Sequence, residues 1–520
     1  MPTAFDVNLS TQVREILSRR PAVGLAVGVV RGGRLEFFHG HGVADIGSRA
    51  PITEDTVFRI GSITKTVTAI AVMQLWEQGL IDLDAPANDY LRAYELVPAK
   101  SGFRPATLRH LLTHTAGIPD VRRLSDLLHA GLTPADGRPP LLNVAFGQPL
   151  PSLAEHYRSG LRVVVEPGSA FAYSGPGYAT LGQIVEDVTG EPLDRYLRER
   201  IFMPLGMTDT DIRRNERLAE RLATGYVLQV TGPREVADRD WIGAGAGGIY
   251  STPRDMARYV GALLGGGANE HGRVLHPATL ATMFAPQYQP DSRLPGMGLG
   301  FFRGEVDGHP TVSHGGILPG FNSELLVAPE DRAGLFALTN GSSGAFAWLP
   351  IELEGLLRQL LGLPANERRP GVPHQPQVWT ALCGRYGFPP RIADVRERLS
   401  MGGGVDVFVR DGRLMARVLT PIPALYRGLP LQALDESDPY LYRLDLSGLG
   451  IAQVRAVFAP VIEGRATAIH TDLGGMPWSL VRLSKATPWR RRGRAVGALA
   501  LVGVLAALRR RRRRHEEMRI

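Results

Sequence analysis

Ser62-Ile63-Thr64-Lys65 heads an apolar stretch that runs to Gln78 and is stopped by Gly79. On a helix, positions three apart share a face, so Ser62 and Lys65 present their polar tips side by side. A primary alcohol is a poor nucleophile until its proton is removed, and a desolvated amine beside it does that. Val67, Ile70, Ala71, Val72, Met73 and Leu75 follow, apolar nearly all round, the pattern of a buried helix. A lysine at the start of such a helix loses hydration, which lowers an amine toward a useful base. Two readings therefore fit Ser62, an activated nucleophile or the cap of a first helical turn.

Working outward, Val23 to Val30 is a valine-rich run, Arg31-Gly32-Gly33 a turn, and Leu35 to Phe38 a returning strand, a hairpin with a buried face. Thr107 caps a short helix through Leu111 and Leu112 that ends at Thr113-His114-Thr115-Ala116-Gly117. Residues 118–151 read as irregular, and Gly177 to Thr189 as a second buried helix. Thr252-Pro253-Arg254-Asp255 is a helix start with a hydroxyl cap and proline at the first position. Thr311 to His314, Phe321 to Ala328 and Gly334 to Thr339 read as strands, and Pro350 to Leu361 as a closing helix. Strands at both ends with a helical block between them predict an α+β domain, an antiparallel sheet flanked by helices with a large helical subdomain.

The expected organisation is a first domain over 1–362, a proline- and arginine-bearing linker over 363–377, and a small all-β, barrel-like module over 378–488. A tail follows over 489–520. The module carries a hairpin with an Asp411-Gly412 turn. The formal net charge of +8 lies in the tail: residues 490–520 hold eleven arginines against two glutamates, which leaves the rest of the chain at −1. A basic face for nucleic acid on the main fold has no support. Ala495 to Leu508 is a 14-residue apolar run bracketed by arginines, short against the ~20 residues of a membrane span. A membrane-surface anchor, a marginal span and a tail with no partner all fit it. One cysteine, Cys383, rules out an internal disulfide, and no secretory pattern opens the chain; the expected location is cytoplasmic, with the tail as the candidate for membrane association and a partnerless tail as the alternative.

Two further segments turn the serine–lysine pair into a site. Tyr173 sits in Phe171-Ala172-Tyr173-Ser174-Gly175, a loop just before a helix, where a phenol serves as base or proton relay. Ser313-His314-Gly315-Gly316-Ile317 ends a strand, and its paired glycines let a ligand approach the backbone. Gly243 to Gly248 matches the dinucleotide fingerprint only by spacing, because Ile249-Tyr250-Ser251 intervene before the helix start. Those glycines instead suit a loop passing close to the floor of the site. His39, His41, His110 and His114 read as packing or surface residues, no metal-ligand spacing is present, and no cofactor is implied.

In order and spacing, Ser62-Ile-Thr-Lys65, Tyr173-Ser-Gly175 and His314-Gly-Gly316 resemble the three motifs of serine β-lactamases and penicillin-binding proteins. The pattern is most similar to the class C-like group, which includes esterases and D-amino-acid-specific peptidases. Leu111-Leu-Thr-His-Thr-Ala-Gly117, Gly245 to Thr252 and Pro319-Gly-Phe-Asn-Ser323 extend the likeness over residues 20–362. The resemblance implies a Ser62 acyl-enzyme, with Lys65 and Tyr173 sharing the proton and either one as formal base. It also implies an oxyanion hole from the backbone amides of Ser62 and Ile317, and substrate contacts at Gly175, Gly315, Gly316 and Asn322. His314 stands where many relatives carry lysine and is expected to donate to Tyr173, or to a substrate carboxylate when charged. The middle motif commonly ends in asparagine, which contacts the lysine and the substrate's acyl-side amide; Gly175 does neither, so ester turnover is expected to exceed β-lactam turnover. The expected substrates are small esters or D-amino-acid amides and peptides. A peptidoglycan peptidase or β-lactam hydrolase, and a non-catalytic scaffold or sensor, are the alternatives.

Overall fold

A computed structural model describes residues 4–120, 142–364, 372–388, 404–418, 423–446 and 453–483. The 489–520 tail lies outside them, as do residues 121–141 of the 118–151 segment and 365–371 of the expected linker.

One sheet has seven strands: β1 (Gly24–Arg31), β2 (Arg34–Asp45), β3 (Ala50–Pro51), β4 (Phe302–Val306), β5 (His309–Leu318), β6 (Phe321–Ala328) and β7 (Ala333–Thr339). Their order is β4-β5-β6-β7-β1-β2-β3, every pair antiparallel. The C-terminal meander thus joins the N-terminal hairpin through β7 and β1, with Val27 opposite Ala337. The framing helices are α1 (Ala4–Arg19), α2 (Thr64–Glu77), α3 (Leu108–Leu112), α4 (Gly175–Thr189), α5 (Pro253–Leu264) and α6 (Ala345–Leu360).

Successive side chains of a strand face opposite ways, and both faces of this sheet are covered. Leu25, Val27, Val29, Leu335 and Ala337 pack with Val13 and Ile16 of α1 and Trp348 and Leu353 of α6. Ala26, Val30, Phe336 and Leu338 join the larger core with Ile70 of α2, Val185 of α4 and Val260 of α5. Burial on both sides is why β1 is one unbroken apolar run rather than an alternating one.

Helix α2 is buried over Thr64–Leu75 and ends as read, with Gly79 in the left-handed region at φ +69°. Thr107 caps α3 through a capping box with His110, and Thr252 caps α5 ahead of Pro253. The closing helix departs from expectation: it starts five residues early, after Gly344 at φ +64°, and carries Pro350 inside it. Burial of Ala345, Trp348 and Leu349 against the sheet keeps the turn before the proline helical.

The chain divides into two compact units, the second made largely of residues 370–448, 453–473 and 478–520. Among its described residues the second unit is a closed barrel of Gly384–Gly387, Val405–Arg410, Arg413–Val418, Leu429–Ala433, Leu441–Asp445, Gln453–Phe458, Ala468–Thr471 and Trp478–Arg482. Asp411 and Gly412, at φ +51° and +68°, make the tight turn read from their sequence. Closure leaves no open edge on these strands.

Candidate active site

Ser62 lies not on α2 but in the tight 3-10 turn Gly61–Ile63 that feeds it. Lys65 is the second residue of α2, one turn on from Ser62, so the predicted pairing survives the break between turn and helix. Lys65 Nζ donates to Ser62 Oγ at 2.9 Å and to the Ala246 carbonyl at 2.6 Å. The lysine is 2% exposed, while Ser62 is half-buried and reachable. The glycine-rich loop read as a close-passing floor takes that role: the Gly245 carbonyl accepts from Thr68 Oγ1 at 2.7 Å and its neighbour Ala246 holds the lysine.

Tyr173 sits on an extended segment stitched to the turn after α3. Its ring centroid lies 5.0 Å from Lys65 Nζ. His114 holds the backbone on both sides of it: its carbonyl accepts the Ala172 N–H at 2.8 Å and its Nδ1 accepts the Ser174 N–H at 3.0 Å. The His114 ring packs on that of Tyr173 with centroids 4.4 Å apart. To do this His114 takes a left-handed backbone, φ +56°, uncommon outside glycine. Gly117 bends the same turn at φ +71°, where a Cβ would come within 2.2 Å of the Val165 carbonyl. Burial, with Lys65 nearby, pushes the His114 imidazole well below its usual range, so it is neutral and, with Nδ1 accepting, carries its proton on Nε2.

The third segment arrives from β5. Gly316 packs so tightly on the Ser62 turn that a Cβ there would stand 2.1 Å from the Ile60 carbonyl, which also accepts from Ser323 Oγ at 2.7 Å. Across the same contact the Ile317 nitrogen lies 3.0 Å from where a Gly61 Cβ would be. The two amides read as an oxyanion hole are thus in adjacent backbone segments. The partner strand β4 ends opposite Ser313, so the edge of His314–Leu318 away from β6 has no strand partner among the described residues. His314 is 1% exposed and makes a 2.8 Å contact from Nδ1 to the Gly315 carbonyl. That carbonyl only accepts, so Nδ1 carries the proton and Nε2 is an acceptor. Burial, with Lys65 nearby, pushes its pKa down to about 3. Burial thus disfavours the charged form that a grip on a substrate carboxylate requires, and with Nδ1 turned to Gly315 the ring has no second N–H to give to Tyr173.

Residues 10–352, more than half the chain, match the family model described as Beta-lactamase. The chain belongs to the β-lactamase family. It is 30% identical over 348 residues to penicillin-binding protein 4 of Amycolatopsis lactamdurans, covering 64% of this chain and 83% of that one. To esterase EstB of Burkholderia gladioli it is 30% identical over 368 residues, covering 68% and 83%. Among solved structures it resembles the octameric penicillin-binding protein homologue from Pyrococcus abyssi, with TM-score 0.57, 23% identity, and coverage of 92% and 99%.

Within this family frame the fold brings Ser62, Lys65, Tyr173, His314 and the Ile317 amide together. Asn322 is not brought to them. Its neighbour Ser323 points at Ile60, so by strand alternation Asn322 and Glu324 project from the other face of the sheet. Gly315 pairs with Glu324 on that far face, and a Cβ at Gly315 would sit 2.6 Å from Glu324 Oε2. Two further residues come from the structure. Of the packing or surface readings of His114, packing holds, and its hold on the Tyr173 backbone and ring is added to it. Asp120 accepts the N–H of Gly175, and nothing in its local sequence signals that contact. Among the described residues no group of three His, Cys, Asp or Glu side chains is placed to hold a metal ion.

Proposed function

We propose that this chain is a serine hydrolase that cleaves small carboxylic esters through an acyl-enzyme on Ser62. The observation that carries the reading is the 2.9 Å approach of a 2%-exposed lysine amine to a reachable serine hydroxyl. In its neutral form the amine takes the Ser62 proton along that line as Oγ attacks the ester carbonyl. The developing oxyanion falls to the amides of Ser62 and Ile317, donors whose individual loss costs ~2.7–4 kcal/mol in other hydrolases. Tyr173, against Lys65, passes the proton to the departing alcohol, and a water then releases the acid by the reverse transfer.

Two features favour esters over β-lactams and peptidoglycan peptides. A neutral His314 offers no cation for a substrate carboxylate. Gly175 offers no carboxamide for an acyl-side amide.

A fluorophosphonate probe tests the reading, followed by p-nitrophenyl butyrate and nitrocefin assayed side by side. Labelling that disappears in Ser62→Ala, with the ester turned over faster than nitrocefin, is expected. Faster nitrocefin hydrolysis reverses the substrate choice, and absence of labelling in the unaltered chain makes it a non-catalytic relative.

A further inference from the structure

The closed barrel carries its charge unevenly. On its strands Val405–Arg410 and Arg413–Val418, the side chains of Val405, Val407, Leu414 and Ala416 fill the interior. By alternation Asp406, Phe408 and Arg410 face outward, opposite Arg417, Met415 and Arg413. Arg385 joins them from the neighbouring strand, opposite Asp406. The helix Pro423–Arg427 borders the same face: the Arg427 carbonyl accepts from Arg410 at 3.0 Å, and the Arg417 guanidinium stands 4.9 Å from the Phe408 ring and 5.9 Å from that of Tyr426.

Asp406 lies 3.2 Å from Arg417 and 3.5 Å from Arg385, and Asp411 lies 3.9 Å from Arg410. Arg413 and Arg427 have no carboxylate partner among the described residues. Five arginines thus meet two aspartates here, while the rest of the described barrel holds four arginines against six acids. Tyr426 and Val409 stand among these cations 55% and 47% exposed. Arginines near anionic headgroups are drawn to the surface potential, and tyrosine settles at headgroup level.

The chain also leaves the barrel beside this face. Leu483 donates its N–H to the Arg385 carbonyl at 2.8 Å, and residues 484–520 follow, with the 14-residue apolar run between arginine clusters. A short apolar segment and a basic patch are together the two signals that stable surface anchoring takes. Duplex nucleic acid would meet the arginines but would offer nothing to Tyr426, Val409 or the apolar run.

We propose that the outer face of the 405–418 hairpin, with the helix Pro423–Arg427, is a docking surface for an anionic lipid bilayer. This goes beyond the ester hydrolase reading and does not rest on it. Sedimentation of the full chain with phosphatidylcholine vesicles, with and without about one-third phosphatidylglycerol, tests it. Binding to the anionic vesicles alone is expected. Each of Arg410→Gln, Arg413→Gln and Arg427→Gln is expected to weaken it about fivefold, and the three together roughly a hundredfold.

If the triple variant is not folded by its melting curve, the unaltered chain still decides. Amide hydrogen exchange over 411–413 and 425–427 is then expected to slow when anionic vesicles are added. Absence of vesicle binding, equal binding to neutral vesicles, or exchange unchanged by vesicles overturns the proposal. So does tighter binding of random duplex DNA than of anionic vesicles, and so does full binding by a folded triple variant, which would leave the tail alone as the anchor. None of these outcomes bears on Ser62 labelling, so the hydrolase reading stands or falls separately.

Discussion

The imidazole of His114 lies flat enough against the ring of Tyr173, 34° between planes and 4.4 Å between centroids, to fix where the phenol can point. The same side chain accepts the amide of Ser174, and its carbonyl takes that of Ala172, so the tyrosine is held through ring and backbone together. In the mechanism proposed for Tyr173, His114 acts through it as a positioning residue.

His114→Ala removes a buried acceptor and the ring beneath the phenol, an effect of ~1–3 kcal/mol. It is expected to lower kcat roughly ten- to hundredfold with less change in KM. Asn places an acceptor near the Nδ1 position and tolerates φ > 0, so His114→Asn is expected to recover most of the loss. Steady-state kinetics on p-nitrophenyl butyrate check this; equal damage in both variants would show that packing alone was lost.

Gly316→Ala places a methyl 2.1 Å from the Ile60 carbonyl, a contact the two backbone segments relieve only by moving apart. The nucleophile turn and the Ile317 amide must separate, so kcat is expected to fall about a hundredfold, in keeping with loss of an oxyanion donor. A melting curve read beside the kinetics checks that the variant is folded.

Glu324, beneath Gly315 on the far face of the sheet, has its pKa raised by burial to about 8. The folded state keeps its proton while the unfolded chain releases it above the ordinary carboxylate range. Its contribution is therefore complete below about pH 4.5 and is lost as pH rises through about 8. Glu324→Gln is expected to flatten the fall in Tm between those limits. Parallel Tm profiles for the two proteins would contradict it.

On the acid side the sign reverses. His314 and His114 stay neutral in the fold because burial opposes their charging, so the unfolded chain binds protons first as pH drops below 6.5. Stability is expected to decline from about pH 6.5 toward about 3, where His314 itself titrates. A Tm series in His314→Asn should show a shallower acid limb than the unaltered chain; an identical limb would place the acid sensitivity elsewhere.

Much of the fold was legible because its signals are local. The unbroken valine run of β1, the all-round apolar α2 with Gly79 behind it, and the Thr107 and Thr252 caps each follow from side-chain chemistry within a few residues. The start of α6 was not, because a proline normally marks a first turn and only packing of Ala345 and Trp348 on the sheet extends the helix before it. Ser62 and Lys65 were legible as a pair because they are three residues apart.

By itself the sequence determined which serine, lysine, tyrosine and histidine stand in the three motifs, since motif order and spacing are properties of the chain. Tertiary structure alone decided their states and neighbours: that His314 is neutral, that Asn322 faces away, that His114 braces Tyr173, and that Asp120 takes the place beside Gly175. Burial and contacts between segments 55 to 263 residues apart set those outcomes, and no local pattern encodes them.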